Sequence, residues 1–352
     1  MTIFDVALIL ILLLTIILKP IGYYPGGMCN KSCKIYLFIV GAILVLIPGF
    51  RDMSIGLDTY QYVDFFKSLP EDIIKAFKES RFEEGYVLLN YLFKKFDFWL
   101  AQTAVSMLSV GMIFYMIKKY SPMIWLSCLL FVLYCFYYRC FNEMRQAVAL
   151  GIICVSFKFL AERKLRYYLA CLALAALFHR TSLIFITSVV LFYIDKIKWW
   201  HVLCIMGGIG VLFAYSTIII LTFLPFFQTD YSNIEEGAGG WGLFAIQVLT
   251  FGLALYRYKY LSEDRTNIIA LFLLIMAIMI FPICHFNPML FRLEDYFWVF
   301  MIILVPRIIQ TFKSTVVRHL ACIGYIVIGY FFYFVQIFSE ANEILPYKFL
   351  WE

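Results

Sequence analysis

A chain of 352 residues that is 64% hydrophobic, 20% aromatic and only 15% charged has more apolar surface than a soluble fold of this size can hide, since soluble domains average about 45–50% apolar and about 25% charged residues. Lipid is therefore expected as the solvent for much of it. With 29 Lys and Arg against 23 Asp and Glu, the formal net charge is +6; the bilayer is the expected partner and nucleic acid is not.

The apolar runs are long and regularly interrupted. A helix needs roughly 20 residues to cross the hydrocarbon core, and candidate spans are centred near Ile11, Ala42, Met107, Leu130, Ile152, Leu172, Thr187, Leu212, Thr250, Ile275, Ile302 and Ile328. The expected fold is all-α: one polytopic membrane domain over residues 1–352 with about 12 transmembrane helices. The first run starts at Thr2–Ile3 with no basic residues before it and no small-residue cleavage site, so it reads as a retained span and not a signal peptide. Basic residues set the orientation. With the N-terminus outside, the inner loops collect most of them, among them Lys118, Lys119, Arg163, Lys164, Arg166, Lys196, Lys198, Arg257, Lys259 and Arg265, and the C-terminus also falls outside.

Residues 51–98 form the one sizeable outer segment. It opens with "RDMSIGLDTYQYVDFF", where Asp58 stands among aromatic and hydroxyl groups of the kind that hold sugars, Tyr60 and Tyr62 included. In "SLPEDIIKAFKESRF", Ser68 and Glu71 have capping-box spacing and Pro70 favours a helix start. Ile73, Ile74 and Phe77 would then share the apolar face of a helix lying on the bilayer. "RFEEGYVLLNYLFKKF" follows, with a glycine turn and an apolar stretch too short to cross, hence re-entrant or interfacial.

At the short outer mouths every basic residue is arginine: Arg51, Arg139, Arg145, Arg180 and Arg292. Guanidinium matches phosphate bidentately, whereas lysine is a hydrated point charge, so a shared anion, with a lipid-linked diphosphate the natural candidate, is expected at this face. The alternative for each is a helix cap or a pairing with a nearby acid, such as Arg292 with Glu294 or Asp295. In "LALAALFHRTSLIFI" only twelve residues separate Arg166 from His179, about 18 Å of helix against a core of about 30 Å. That places His179 recessed, at the floor of an outward-facing cavity. Histidine near neutral pH suits the removal of a proton from an acceptor hydroxyl. The loop 225–241, glycine-rich and acidic, reads as a flexible lid. Cys29 and Cys33 have no histidine beside them and the remaining cysteines are scattered through spans, so neither a metal nor another cofactor is expected.

Taken in order, Arg51-x4-Gly56-x-Asp58-Thr59-x2-Tyr62, Glu84-Gly85-Tyr86, Arg145-Gln146, Phe178-His179-x-Thr181-Ser182 and Arg292-x3-Tyr296-Phe297 resemble the EpsG-like branch of the Wzy-type polysaccharide polymerases. Leu57 departs from the family's Gly-Thr-Asp version, and Glu84-Gly85 lacks its proline. The resemblance implies a multi-pass glycosyltransferase of the bacterial inner membrane. It would move a growing glycan from undecaprenyl diphosphate onto a lipid-linked oligosaccharide repeat, working beside a chain-length regulator. It also implies site roles for Glu84 beside Asp58 and His179 as catalytic groups, and for Tyr86 and Gln146 beside Tyr60 and Tyr62 in holding sugar. The alternative from another class is a flippase for the same lipid-linked oligosaccharide, against which stands the absence of an evident internal repeat.

Overall fold

The computed structural model describes residues 2–20, 30–198, 201, 207–212, 214–215, 218, 240–285, 290–338 and 343–352. Among these the secondary structure is helical, with an isolated β-bridge between Arg51 and Phe349. In chain order the helices are α1 (Ile3–Leu18), α2 (Lys31–Gly49), α3 (Thr59–Ser68), α4 (Ile73–Glu79), α5 (Glu84–Phe93), α6 (Phe98–Tyr120), α7 (Ile124–Leu133), α8 (Arg139–Asn142), α9 (Met144–Ala161) and α10 (Leu165–Ala176). A 3-10 run, Arg180–Phe192, comes next, then α11 (Trp241–Tyr256), α12 (Arg265–Cys284), α13 (Phe291–Trp298), α14 (Met301–Gln310) and α15 (Thr315–Ile337), together with short helical turns at Phe136–Tyr138 and Tyr258–Leu261.

Five of these, α2, α6, α9, α12 and α15, are long and apolar enough to cross a membrane, and α7 with Phe136–Asn142, bent by 60°, makes a sixth if counted as one broken span. Shorter apolar helices (α1, α10, the 3-10 run, α11 and α14) lie on five more of the apolar runs read from the sequence. The run centred near Leu212 falls in a stretch most of which is outside the described residues. The chain is thus an integral membrane protein built of helices, with five or six full-length spans among the described residues.

Burial orders the bundle. The spans α9 and α12 are 72% and 78% buried along their apolar windows, against 28% for α15, so α9 and α12 are central and α15 lies at the rim. Helix α9 packs between α6 and α10, α2 packs on α6, and α12 packs on α13. Where α2 ends, Gln102 Nε2 of α6 donates to the carbonyls of Gly49 (2.9 Å) and Arg51 (3.2 Å). The C-terminal residues fold back over the same point, with Leu350 N–H donating to Phe50 O (2.9 Å) and Asp52 N–H to Lys348 O (3.0 Å).

Segment 51–97 is three short helices. The spacing of Ser68 and Glu71 predicts a capping box, but the structure differs. Ser68 is the last residue of α3, and its Oγ donates to Phe65 O (3.0 Å). Leu69 precedes proline and is extended, as the ring of Pro70 demands, so the helix breaks there and α4 begins at Ile73. It is capped by Asp72, whose carboxylate accepts from Ile74 N–H at 2.9 Å. Glu71 turns instead to Lys94, 2.8 Å away. Ala76 of α4 is buried, whereas Ile74 and Phe77 point outward, an apolar face suited to a bilayer surface. Of the loop 225–241, residues 225–239 lie outside those described.

Helix α5 is docked by its second residue. Gly85 N–H donates to Leu177 O (2.7 Å), just past the end of α10, and a Cβ at Gly85 would lie 2.7 Å from that oxygen and 3.0 Å from its carbon. A backbone carbonyl cannot swing aside as a side-chain tip can. Gly85→Ala should therefore destabilise the protein by about 1–3 kcal/mol, measured as a lowered thermal midpoint in detergent, whereas Gly111→Ala, whose Cβ would meet nothing within 4 Å, should leave it unchanged or slightly raised.

Candidate functional site

The docking of Gly85 brings the start of α5 against the junction between α10 and the 3-10 run. His179 is the hinge residue of that junction. Its own N–H closes α10 on Ala175 O (2.9 Å), its backbone is extended, and Ser182 N–H returns to its carbonyl (3.0 Å). At this point Glu83, only 6% exposed, gathers three partners. Its Oε2 pairs with Arg145 Nη1; its Oε1 accepts from Arg180 N–H at 3.2 Å and lies 3.3 Å from His179 Nδ1. The Arg145 guanidinium also stacks over Phe82, 4.6 Å from the ring centre.

These contacts fix the charge states. Burial alone would lift the Glu83 carboxyl, but the close approach of His179 and the charge of Arg145 hold it at about 2. Burial lowers the His179 imidazole below its ordinary value, against the pull of Glu83 and with the help of Arg145 and Arg292. The ring is accordingly neutral near pH 7 and able to accept a proton.

A second constellation lines a cavity of about 560 Å³ walled by Tyr134, Tyr138, Arg139, Asn142, Glu143, Arg292, Asp295 and Trp298, with apolar groups of α11 and α15 opposite. Its centre is Glu143, at the break between α8 and α9. The Glu143 carboxylate bridges two arginines: Oε2 is 2.7 Å from Arg139 Nη1 and Oε1 is 2.8 Å from Arg292 Nε. Arg139 Nε in turn lies 2.8 Å from Asp295 Oδ2. Gln146 Nε2 donates to that same oxygen and to Arg292 O, both at 3.0 Å, and Trp298 Nε1 donates to Asp295 Oδ1 at 3.1 Å. The Arg292 side chain is 29% exposed, and among the described residues its two Nη groups make no hydrogen bond. A guanidinium has five N–H donors, so the fork is oriented by Glu143 with its terminal donors left toward the cavity.

Asp58 stands between the constellations, at the start of α3 and half-buried; it makes no side-chain hydrogen bond among the described residues. Burial raises its carboxyl, Arg292 and Arg145 oppose that rise, and Glu143 adds to it. The glycine before it is obligatory in form. Gly56 has φ +97°, and a Cβ there would meet Asn142 Oδ1 at 2.7 Å; that oxygen accepts from Leu57 N–H at 3.0 Å.

The structure thus brings together Asp58, His179, Arg139, Arg145, Arg292, Gln146 and Tyr62, the last with its hydroxyl 3.4 Å from Asn142 O. The others stand elsewhere. Arg51 is fully buried, and its terminal nitrogens donate to Cys140 O (3.2 Å), Thr59 Oγ1 (3.2 Å) and Met144 Sδ (3.6 Å), so it fastens segment 51–97 to α8 and α9. Arg180 contributes its backbone N–H to Glu83 while its side chain is exposed. Tyr60 is 61% exposed, and Tyr86 is buried in an aromatic cluster with Tyr62, Phe65 and Phe82. Glu84 is exposed, and its neighbour Glu83 faces the site. Reading the arginines alone passed over two of the acids that hold them, Glu83 and Glu143, and Asp295, weighed as a partner for Arg292, pairs with Arg139 instead; the i,i+4 spacing of Arg139 and Glu143 was the available signal. Among the described residues no group of three or more His, Cys, Asp or Glu is placed to hold a metal ion.

Comparison with known proteins gives two findings. The model of the EpsG family matches residues 34–349. The "Amylovoran biosynthesis protein AmsC" of Erwinia amylovora is 24% identical over 254 residues, covering 65% of this chain and 67% of its own length. No solved structure matches.

Removing Glu83 strands a half-buried arginine, a loss of about 1–3 kcal/mol, so Glu83→Ala should lower the thermal midpoint in detergent while Glu84→Ala leaves it unmoved. The Glu83 carboxyl is depressed, so its contribution is present above the ordinary carboxylate range and is lost only as pH falls toward about 2.

Proposed function

The chain belongs to the EpsG family, and from that premise we propose that it is a polysaccharide polymerase: a membrane glycosyltransferase that moves a growing glycan from a polyprenyl diphosphate, undecaprenyl diphosphate in a bacterium, onto a lipid-linked oligosaccharide repeat. The observation that carries this reading is the cavity wall on which one carboxylate, Glu143, aligns two guanidinium groups, Arg139 and Arg292, with a half-buried neutral histidine close by. A relative that shares the family's stretch is named for the biosynthesis of a polysaccharide, amylovoran.

The chemistry follows from the geometry. Transfer breaks the bond between the anomeric carbon and the diphosphate oxygen, so negative charge grows on the leaving diphosphate. The terminal donors of Arg292, and those Arg139 leaves unengaged, meet that charge in a partly enclosed cavity, where preset donors stabilise a transition state. The diphosphate competes with Glu143 for the same forks, which keeps them aligned until it arrives. On the other side, the acceptor hydroxyl gives its proton to His179 as its oxygen attacks the anomeric carbon. Asp58 and Gln146, and Tyr62 behind them, supply the polar wall against which the acceptor sugar is oriented; Glu83 stands in the place the sequence gives to Glu84. The shorter apolar helices complete the crossings, for about twelve spans in all. The site faces outward, with both termini on that side of the inner membrane, and a chain-length regulator is the expected partner there.

The test is complementation of a strain lacking this gene, read as a gel of lipid-linked and surface glycan. The deletion should lose the ladder and keep single repeats at the outer surface. His179→Ala should leave it so at normal protein levels, and Arg139→Lys or Arg292→Lys should cut long-chain product about tenfold or more, since a lost charge-assisted hydrogen bond costs about 1.5–3 kcal/mol. Full ladders from both lysine variants, or repeats stranded on the inner leaflet of the deletion strain, would overturn the assignment.

A further inference from the structure

We infer that Glu83 is a positioning residue for His179: it holds the ring with Nδ1 turned to the carboxylate, so that Nε2 is the atom left to take the acceptor's proton. This rests on the reading of His179 as the proton acceptor and says which of its atoms does the work.

Glu83 precedes the first residue of α5, where a carboxylate ordinarily caps the helix by accepting from its backbone. It makes no such bond. Its two oxygens are given over to the chain across from it: Arg145 Nη1 on Oε2, and Arg180 N–H with His179 Nδ1 on Oε1. An ionised carboxylate only accepts, and a neutral imidazole has one N–H and one lone pair. The nitrogen 3.3 Å from Oε1 must therefore be the protonated one, because the other tautomer would press a lone pair against an anionic oxygen in a buried site. Nε2 is left as the acceptor. Arg145 completes the device by keeping Glu83 ionised, so that the proton taken from the acceptor stays on the ring and does not pass on to the carboxylate. The imidazolium so formed has Glu83 and Glu143 in its favour and Arg145 and Arg292 against it, a balance suited to a group that must release the proton again. The close approach of Gly85 to Leu177 O fixes the distance between α5 and the His179 junction on which all of this depends.

The experiment reads the ring directly. The full-length protein in detergent, with its four histidines labelled with nitrogen-15, is followed by NMR across a pH titration, His179 being assigned by its loss in His179→Asn. The wild type should show Nδ1 protonated and Nε2 unprotonated. Glu83→Gln keeps an acceptor oxygen but loses the charge, so Nδ1 should stay protonated while the midpoint moves to lower pH. Glu83→Leu should shift the ring toward the Nε2–H form, and Glu83→Asp should restore Nδ1–H. A wild-type ring protonated on Nε2 overturns the inference. So does an unchanged midpoint in Glu83→Gln, which decides the matter even if Glu83→Leu fails to fold. Full glycan ladders from His179→Asn, with the wild-type ring as expected, would leave the positioning intact and overturn the reading of His179 as the base.

Discussion

Charge buried in a membrane bundle must be partnered, and the whole of this site is organised by that constraint. An unpaired guanidinium in such surroundings is expensive enough to mark either a fault or a function. Here three elements remote in sequence, the start of α5, the α8–α9 break and α13, are drawn to one place by the need to satisfy Arg139, Arg145 and Arg292, and the α10 junction joins them through Glu83. Glu83 and Glu143 are the cross-links. Each serves more than one partner, and each sits at the start of a helix, where the backbone turns enough to aim a carboxylate across the bundle.

The same pairing explains how one cavity wall offers positive charge without being overwhelmingly positive. Arg139 and Arg292 are oriented by acids that take some of their donors. A ligand with two phosphates can outbid a single carboxylate for both forks at once, whereas a weaker anion such as chloride cannot use the fork geometry. Under the proposed function, this competition is what favours a diphosphate at the two forks.

The helical architecture was legible because lipid imposes long apolar runs, and a count of such runs needs no knowledge of packing. The short reach of α10 before His179 was legible too, since that helix ends at Ala176 after twelve residues. What the sequence could not show was which way a side chain faces at a helix start. Glu83 and Glu84 are adjacent and chemically identical, yet Glu83, extended just before α5, faces inward while Glu84, the first helical residue, faces solvent. The helix start at Ser68 failed for a related reason: the proline that favours a beginning also forces the residue before it to be extended, which moved the cap to Asp72. Arg51, grouped with the other mouth arginines by residue type, turned out to be a fastener because its partners, Cys140 and Met144, lie about ninety residues away in sequence.

The most direct measurement of the central claim is an electron-microscopy structure of the protein in lipid nanodiscs with a polyprenyl diphosphate added. The account predicts phosphate density within hydrogen-bond distance of both Arg139 and Arg292, with Glu143 turned away from at least one of them. Diphosphate bound elsewhere, with Glu143 still bridging the two arginines, would contradict it.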